Sequence, residues 1–119
     1  MDHMKAVGRY VERFNELTGQ NLPVGSIYQS EGLAVHVKKR HPNEVGNLEY
    51  ISDVIKSPDY VGRNPKEPNS IELVKIIENN VMVCIKLDRA DDYLFVASVF
   101  NITDSKLENR LKSGRLKAY

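Results

Sequence analysis

Two short connections constrain this chain more than any other feature. Residues 71–78 (IELVKIIE), 81–88 (VMVCIKLD) and 93–101 (YLFVASVFN) are apolar runs of strand length. Asn79-Asn80 separates the first two, and Arg89 to Asp92 the second two. Segments that short cannot cross over a sheet, so consecutive runs must pair antiparallel as a meander. Asparagine tolerates the left-handed backbone that a tight hairpin turn requires. Residues 81–87 and 93–100 are nearly all apolar, which predicts central strands covered on both faces over much of their length.

The rest of the chain is read around that meander. Val7, Tyr10, Val11, Phe14 and Leu17 fall at helical spacing, so a helix is expected over 4–19, stopped by Gly19 and Pro23. Residues 24–30 (VGSIYQS) read as a short strand. Ser30-Glu31-Gly32 then turns the chain into a second strand over 33–40, making a hairpin. A further helix is expected over 47–57, capped by Asn47 and buried through Leu48, Ile51, Val54 and Ile55. Residues 58–70 (PDYVGRNPKEPNS) hold three prolines and form a long loop carrying Asp59, Tyr60, Arg63 and Lys66. A short C-terminal helix over 105–112 has Asp104 or Ser105 as cap, with Glu108 completing a capping box. The expected fold is therefore α+β. An N-terminal helix and a second helix pack on an antiparallel sheet of four to five strands, all in one domain spanning residues 1–119.

A chain of 119 residues buries roughly two-thirds of its unfolded surface and needs no staples. Its 17 basic and 16 acidic side chains nearly cancel, so a nucleic-acid footprint must come from clustering rather than net charge. A lone cysteine, Cys84, excludes an internal disulfide and a four-thiolate zinc site, and reads as a buried, inert thiol. No run reaches membrane-spanning length and no signal-peptide core is visible, so a cytoplasmic, membrane-free setting is expected. His3, in the N-terminal MDHM, is read as a cloning remnant.

On the expected strand 33–40, Leu33, Val35 and Val37 point one way, while Ala34, His36, Lys38 and Arg40 point the other. An imidazole beside fixed positive charge suits phosphodiester chemistry; a solvated basic face fits the same residues. His41 follows, just before Pro42. Lys86 interrupts VCIKL and Ser98 interrupts VASVF, each a polar side chain in an apolar strand. Taken with His36 and Lys38, they predict a phosphate site on one sheet face. Lys106, Arg110, Lys112, Arg115 and Lys117 make the C-terminal tail a second basic cluster. No phosphate-binding glycine loop or zinc motif is present, and the five-residue spacing of His36 and His41 suits no local metal pair.

Several stretches resemble a group of phage- and mobile-element-associated nuclease domains. They are Glu31 to Pro42, Tyr50-Ile51 to Ile55, Ser57 to Gly62 with Asn64-Pro65, Val96-Ala97-Ser98, and Ser113 to Leu116. The likeness spans about residues 24–117 and points to the broad barnase, EndoU, colicin and RelE-like superfamily. It implies N-terminal helices on an antiparallel sheet and metal-independent cleavage of RNA, often in a toxin or in phage–host conflict. It also implies a site drawn from His, Lys or Arg, and Ser or Thr on one sheet face, with no single invariant set.

The expected chemistry uses the substrate's own 2′-hydroxyl, leaving a 2′,3′-cyclic phosphate. His36 is the candidate base and His41 the candidate acid, although strand alternation sets them on opposite faces. Lys38, Lys86 and Arg115 are expected to hold the phosphate, with Ser98 donating a hydrogen bond. Arg40, Arg63 and Lys112 extend the substrate-binding surface. No cofactor or metal is expected. RNA is the expected substrate, and an immunity or antitoxin protein a further expected partner. Two other readings fit the same sequence: a non-catalytic nucleic-acid-binding module, and a degenerate nuclease fold used for protein docking.

Overall fold

The computed structural model describes residues 4–119, so His3 lies outside the described residues. The elements are β1 (Met4–Tyr10), α1 (Glu12–Thr18), β2 (Gly25–Ser30) and α2 (Glu31–Arg40). A 3-10 stretch (Pro42–Tyr50) leads into α3 (Ile51–Lys56) and β3 (Tyr60–Gly62). Then come β4 (Ser70–Ile76), β5 (Asn80–Asp88), β6 (Tyr93–Ile102), α4 (Asp104–Lys112) and β7 (Leu116–Ala118). The strands form one seven-stranded sheet in the order β1-β2-β6-β5-β4-β3-β7.

The α+β class and the β4–β5–β6 meander agree with the expectation. The turn chemistry differs in detail. Asp92, not Asn79 or Asn80, has positive φ, and the Asp88 carboxylate accepts the N–H groups of Ala90 and Asp91. The sheet is mixed rather than purely antiparallel, because β2 runs parallel to β6. It has seven strands rather than four to five. The extra pairings place β1 on β2 and three-residue strands β3 and β7 beyond β4.

The expected 4–19 helix is in fact a strand, β1, followed by the seven-residue helix α1. Gly8 explains part of the difference. A Cβ there would come 2.5 Å from the Ile55 Cγ2, so a glycine lets β1 pack directly on α3. Glycine inside a helix would cost about 1 kcal/mol relative to alanine.

The expected strand 33–40 is the helix α2, so the 24–40 hairpin does not form. Leu33 and Val37 lie one turn apart and are buried, whereas Val35, expected on the same face, is 68% exposed. Glu31 in the first turn and Lys38, Lys39 and Arg40 in the last complement the helix dipole. The expected helix 47–57 divides into the 3-10 stretch and α3. Asn47 does not cap it. Its side chain is buried, and its amide donates to Asn101 Oδ1 at 2.8 Å. The C-terminal helix forms as expected, but Thr103 is its cap, accepting the Lys106 N–H at 3.1 Å.

Strand alternation divides the core between the two sheet faces. On one face Val81, Val83 and Ile85 of β5 pack with Leu33 and Val37 of α2 and Ile51, Val54 and Ile55 of α3. On the other, Val74, Met82 and Ile102 pack with Leu107 of α4 and Leu116 of β7. The second face is thus covered at one end only, and its open end carries the polar interruptions of the central strands. Among the described residues, no helix is long and apolar enough to cross a membrane.

The C-terminal segment closes one side of this open face. β7 pairs with β3, with Gly62 opposite Leu116. A Cβ on Gly62 would stand 1.8 Å from the Arg115 carbonyl oxygen, so only glycine permits the approach. Beyond β7, the Tyr119 N–H donates to the Asp59 carbonyl at 3.0 Å, and Arg13 donates to the Tyr119 carbonyl at 2.9 Å. These contacts hold the backbone at Arg115 and on its C-terminal side, at Leu116 and Tyr119.

Candidate active site

A cleft of about 350 Å³ opens over the uncovered half of the second sheet face. Its floor follows from strand alternation: Ser70 and Glu72 from β4, Cys84 and Lys86 from β5, Ser98 and Phe100 from β6. Ala97 sits at a register shift between β5 and β6, where Cys84 pairs with Ser98 but Ile85 pairs with Val96. His36 of α2 forms one wall, and Arg110 and Arg115 form the opposite end.

His36 reaches the cleft because β2 pairs with β6 only through Ile27 and Tyr28. The chain then turns into α2, and the remaining edge of β6 is met by α2 and the 3-10 stretch. Glu44 accepts the Asn101 N–H, satisfying an edge donor of β6. Leu33 and Val37 anchor α2 in the core and leave the His36 ring exposed.

Glu72 is the anchor of the far end. It is only 4% exposed, and its carboxylate accepts from Arg115 Nε and from an Arg115 terminal nitrogen, both at 2.8 Å. Arg110 approaches the same carboxylate at 3.9 Å, and also lies 3.6 Å from the Met82 sulfur. The hydrogen bond to Glu72 raises the Arg115 pKa, so the guanidinium is permanently charged. A fork-on-fork pair fixes the guanidinium plane as well as its charge. Lys86 is held more loosely, 3.1 Å from the exposed Glu67 carboxylate.

Cys84 lies on the cleft floor beside Ser98, and burial pushes its thiol up to about 11 against a lowering hydrogen bond from Ser98. It is therefore protonated at neutral pH and no nucleophile. A rise from 9.0 to about 11 leaves about 100-fold less thiolate in the folded protein than in the unfolded chain. Iodoacetamide at pH 8 should accordingly alkylate the native protein about 100-fold more slowly than the urea-unfolded one. Equal rates would show that the thiol is not raised. The sign carries over to stability. A folded pKa above the unfolded one contributes stability below about pH 9 that is lost as the pH rises towards 11.

Of the residues singled out from the sequence, His36, Lys86, Ser98 and Arg115 line this one cleft. Lys38, Arg40, Arg63, Lys112 and His41 do not line it. Two residues along a strand share a face, but two along a helix are about 200° apart, so Lys38 leaves His36 once 31–40 is helical. Arg40 is one turn beyond His36 and exposed. Arg63 is half-buried just after β3, and Lys112 pairs with Glu108 at 3.2 Å on the outer surface of α4. His41 sits 3.2 Å from Glu44 and stacks on Phe100, with ring centroids 5.5 Å apart and planes 18° apart. Glu72 and Phe100 were missed, and Arg110, which also lines the cleft, was read only as part of the basic tail. Glu72 carried the same signal as Lys86 and Ser98, a polar side chain between apolar neighbours in IELVKI. Among the described residues, no three His, Cys, Asp or Glu side chains gather where they could hold a metal.

A profile of the phage-Barnase-EndoU-ColicinE5/D-RelE like nuclease 3 family matches residues 4–109, nearly the whole chain. The chain belongs to this nuclease family. The matched span takes in β1 and α1, which the sequence resemblance did not, and contains His36, Glu72, Lys86, Ser98 and Phe100. It ends just before Arg110, so Arg110 and Arg115 lie beyond it. No curated protein and no solved structure matches the chain.

Proposed function

We propose that this nuclease is a metal-independent endoribonuclease that cleaves RNA by attack of the 2′-hydroxyl. The observation that carries the reading is the meeting of His36 with Lys86, Ser98 and Arg115 in one cleft. His36 takes the 2′-hydroxyl proton, and the oxygen attacks the adjacent phosphorus. The bond to the 5′-oxygen breaks as the 2′,3′-cyclic phosphate forms. Lys86 replaces His41 as the proton donor to that leaving oxygen, because it is the ammonium that lines the cleft. Arg115, preset by Glu72, and Ser98 bind the non-bridging oxygens, where negative charge grows in the transition state. A metal-free route fits the donors present: the two carboxylates of the cleft, Glu72 and Glu67, are each paired with a cation.

The test is cleavage of total cellular RNA by purified protein in excess EDTA, followed by analysis of the new ends. Cleavage should persist, leaving 2′,3′-cyclic phosphates and 5′-hydroxyls. Loss of activity that magnesium or zinc restores, or 5′-phosphate ends, would overturn the mechanism.

A further inference from the structure

We infer that Phe100 is a stacking platform for one nucleobase, so that the cleft takes single-stranded RNA; this rests on the nuclease reading above. Phe100 lines the cleft two residues along β6 from Ser98 and on the same sheet face. Among the described residues it is the one phenylalanine, tyrosine or tryptophan ring of that lining, set among cations and hydroxyls that suit phosphate. Tyr28 and Tyr93, by contrast, pack on each other at a separate surface, at a centroid distance of 6.4 Å.

The ring is held from behind. His41 lies nearly parallel to it as an offset stack, ring centroids 5.5 Å apart, on one side of the ring, and the buried cluster that includes Met82 and Ile102 packs against Phe100 as well. Glu44 fixes His41 through Nδ1 at 3.2 Å and accepts the Asn101 N–H, one residue beyond Phe100 on the same strand. Asn47 adds a hydrogen bond of 2.8 Å to the Asn101 side chain. The backing is thus tied to the strand that carries the ring, and little order is lost when a ligand arrives. A flat π-system whose position is fixed beforehand suits a planar, aromatic ligand, and every nucleobase has such a face. A base in a duplex has both faces covered by its neighbours, so only an unpaired base can use the platform. This gives His41 a part to play outside proton transfer, as a positioning residue for Phe100.

The chain contains no tryptophan, so Phe100→Trp introduces a sole indole at the platform. The probe is an end-labelled single-stranded oligodeoxynucleotide of mixed sequence, which keeps phosphates and bases but lacks the 2′-hydroxyl. Binding is read from the label's anisotropy, and stacking from quenching of the indole. Quenching should accompany binding and disappear when the probe is annealed to its complement. Replacing one nucleotide at a time by an abasic residue should reveal one position that abolishes the quench. At that position affinity should fall about 10- to 100-fold, as loss of one stacked base does. In Phe100→Leu, checked for folding by circular dichroism, the same abasic change should cost almost nothing further. Binding without quenching overturns the inference, as does an abasic scan with no such position, or a probe that does not bind. RNA cleavage by the unaltered protein is scored separately. Cleavage with no quench removes the platform and leaves the nuclease reading standing; quench with no cleavage does the reverse.

Discussion

An oligoribonucleotide with a single 2′-deoxy nucleotide at the cut site should bind this protein about as tightly as the unmodified strand and remain uncut. Phosphate contacts supply most of the affinity for a nucleic acid, and the substitution keeps every phosphate. If Arg115 and Lys86 hold the phosphate as proposed, they meet the same charges in both strands. What the deoxy strand lacks is the oxygen that attacks phosphorus, so the step assigned to His36 has no proton to move. Competition binding and a time course on the two strands measure both halves. If the deoxy strand is cut at the normal rate, water or a side chain is the nucleophile, and the ribonuclease mechanism falls.

His36→Ala should lower the single-turnover rate about 100- to 10,000-fold, the usual contribution of a positioned acid or base, with little change in affinity for RNA. The fold should survive, because the ring is exposed and α2 is anchored by Leu33 and Val37 rather than by His36. Exposed substitutions of this kind usually stay within about 0.5 kcal/mol of the parent. A loss of less than about threefold would remove His36 from the proposed chemistry. A matching loss of melting temperature would assign it a structural part instead.

The meander was legible because its cues are local. Apolar runs of strand length, joined by two- and four-residue connections, leave one arrangement open. The same locality made Lys86 and Ser98 legible, since a polar residue in an apolar strand must find an open face or a partner. That rule would also have found Glu72. It could not have found the partner, because Arg115 is 43 residues away in sequence and is brought in by β7.

The helix α2 shows why periodicity alone misled. A spacing of four residues puts Leu33 and Val37 on one face of a strand and on one face of a helix alike. Only Val35 separates the two readings, and its exposure is decided by where the core lies. The strand reading set His36, Lys38 and Arg40 in a row. The helix keeps His36 at the cleft and turns Lys38 away.

By itself, then, the sequence determined the α+β class, the three-stranded centre of the sheet, and the polar residues His36, Lys86, Ser98 and Arg115 as candidates. Tertiary structure decided the rest. The three-residue strands β3 and β7 exist only because residues such as Tyr60 and Ala118 meet across the fold, and no local pattern marks them. The parallel β2–β6 pairing and the Glu72–Arg115 fork are contacts of the same kind. Local sequence sets which backbone conformations are cheap. A cleft is made by where distant segments pack, and that is fixed by burial summed over the whole chain.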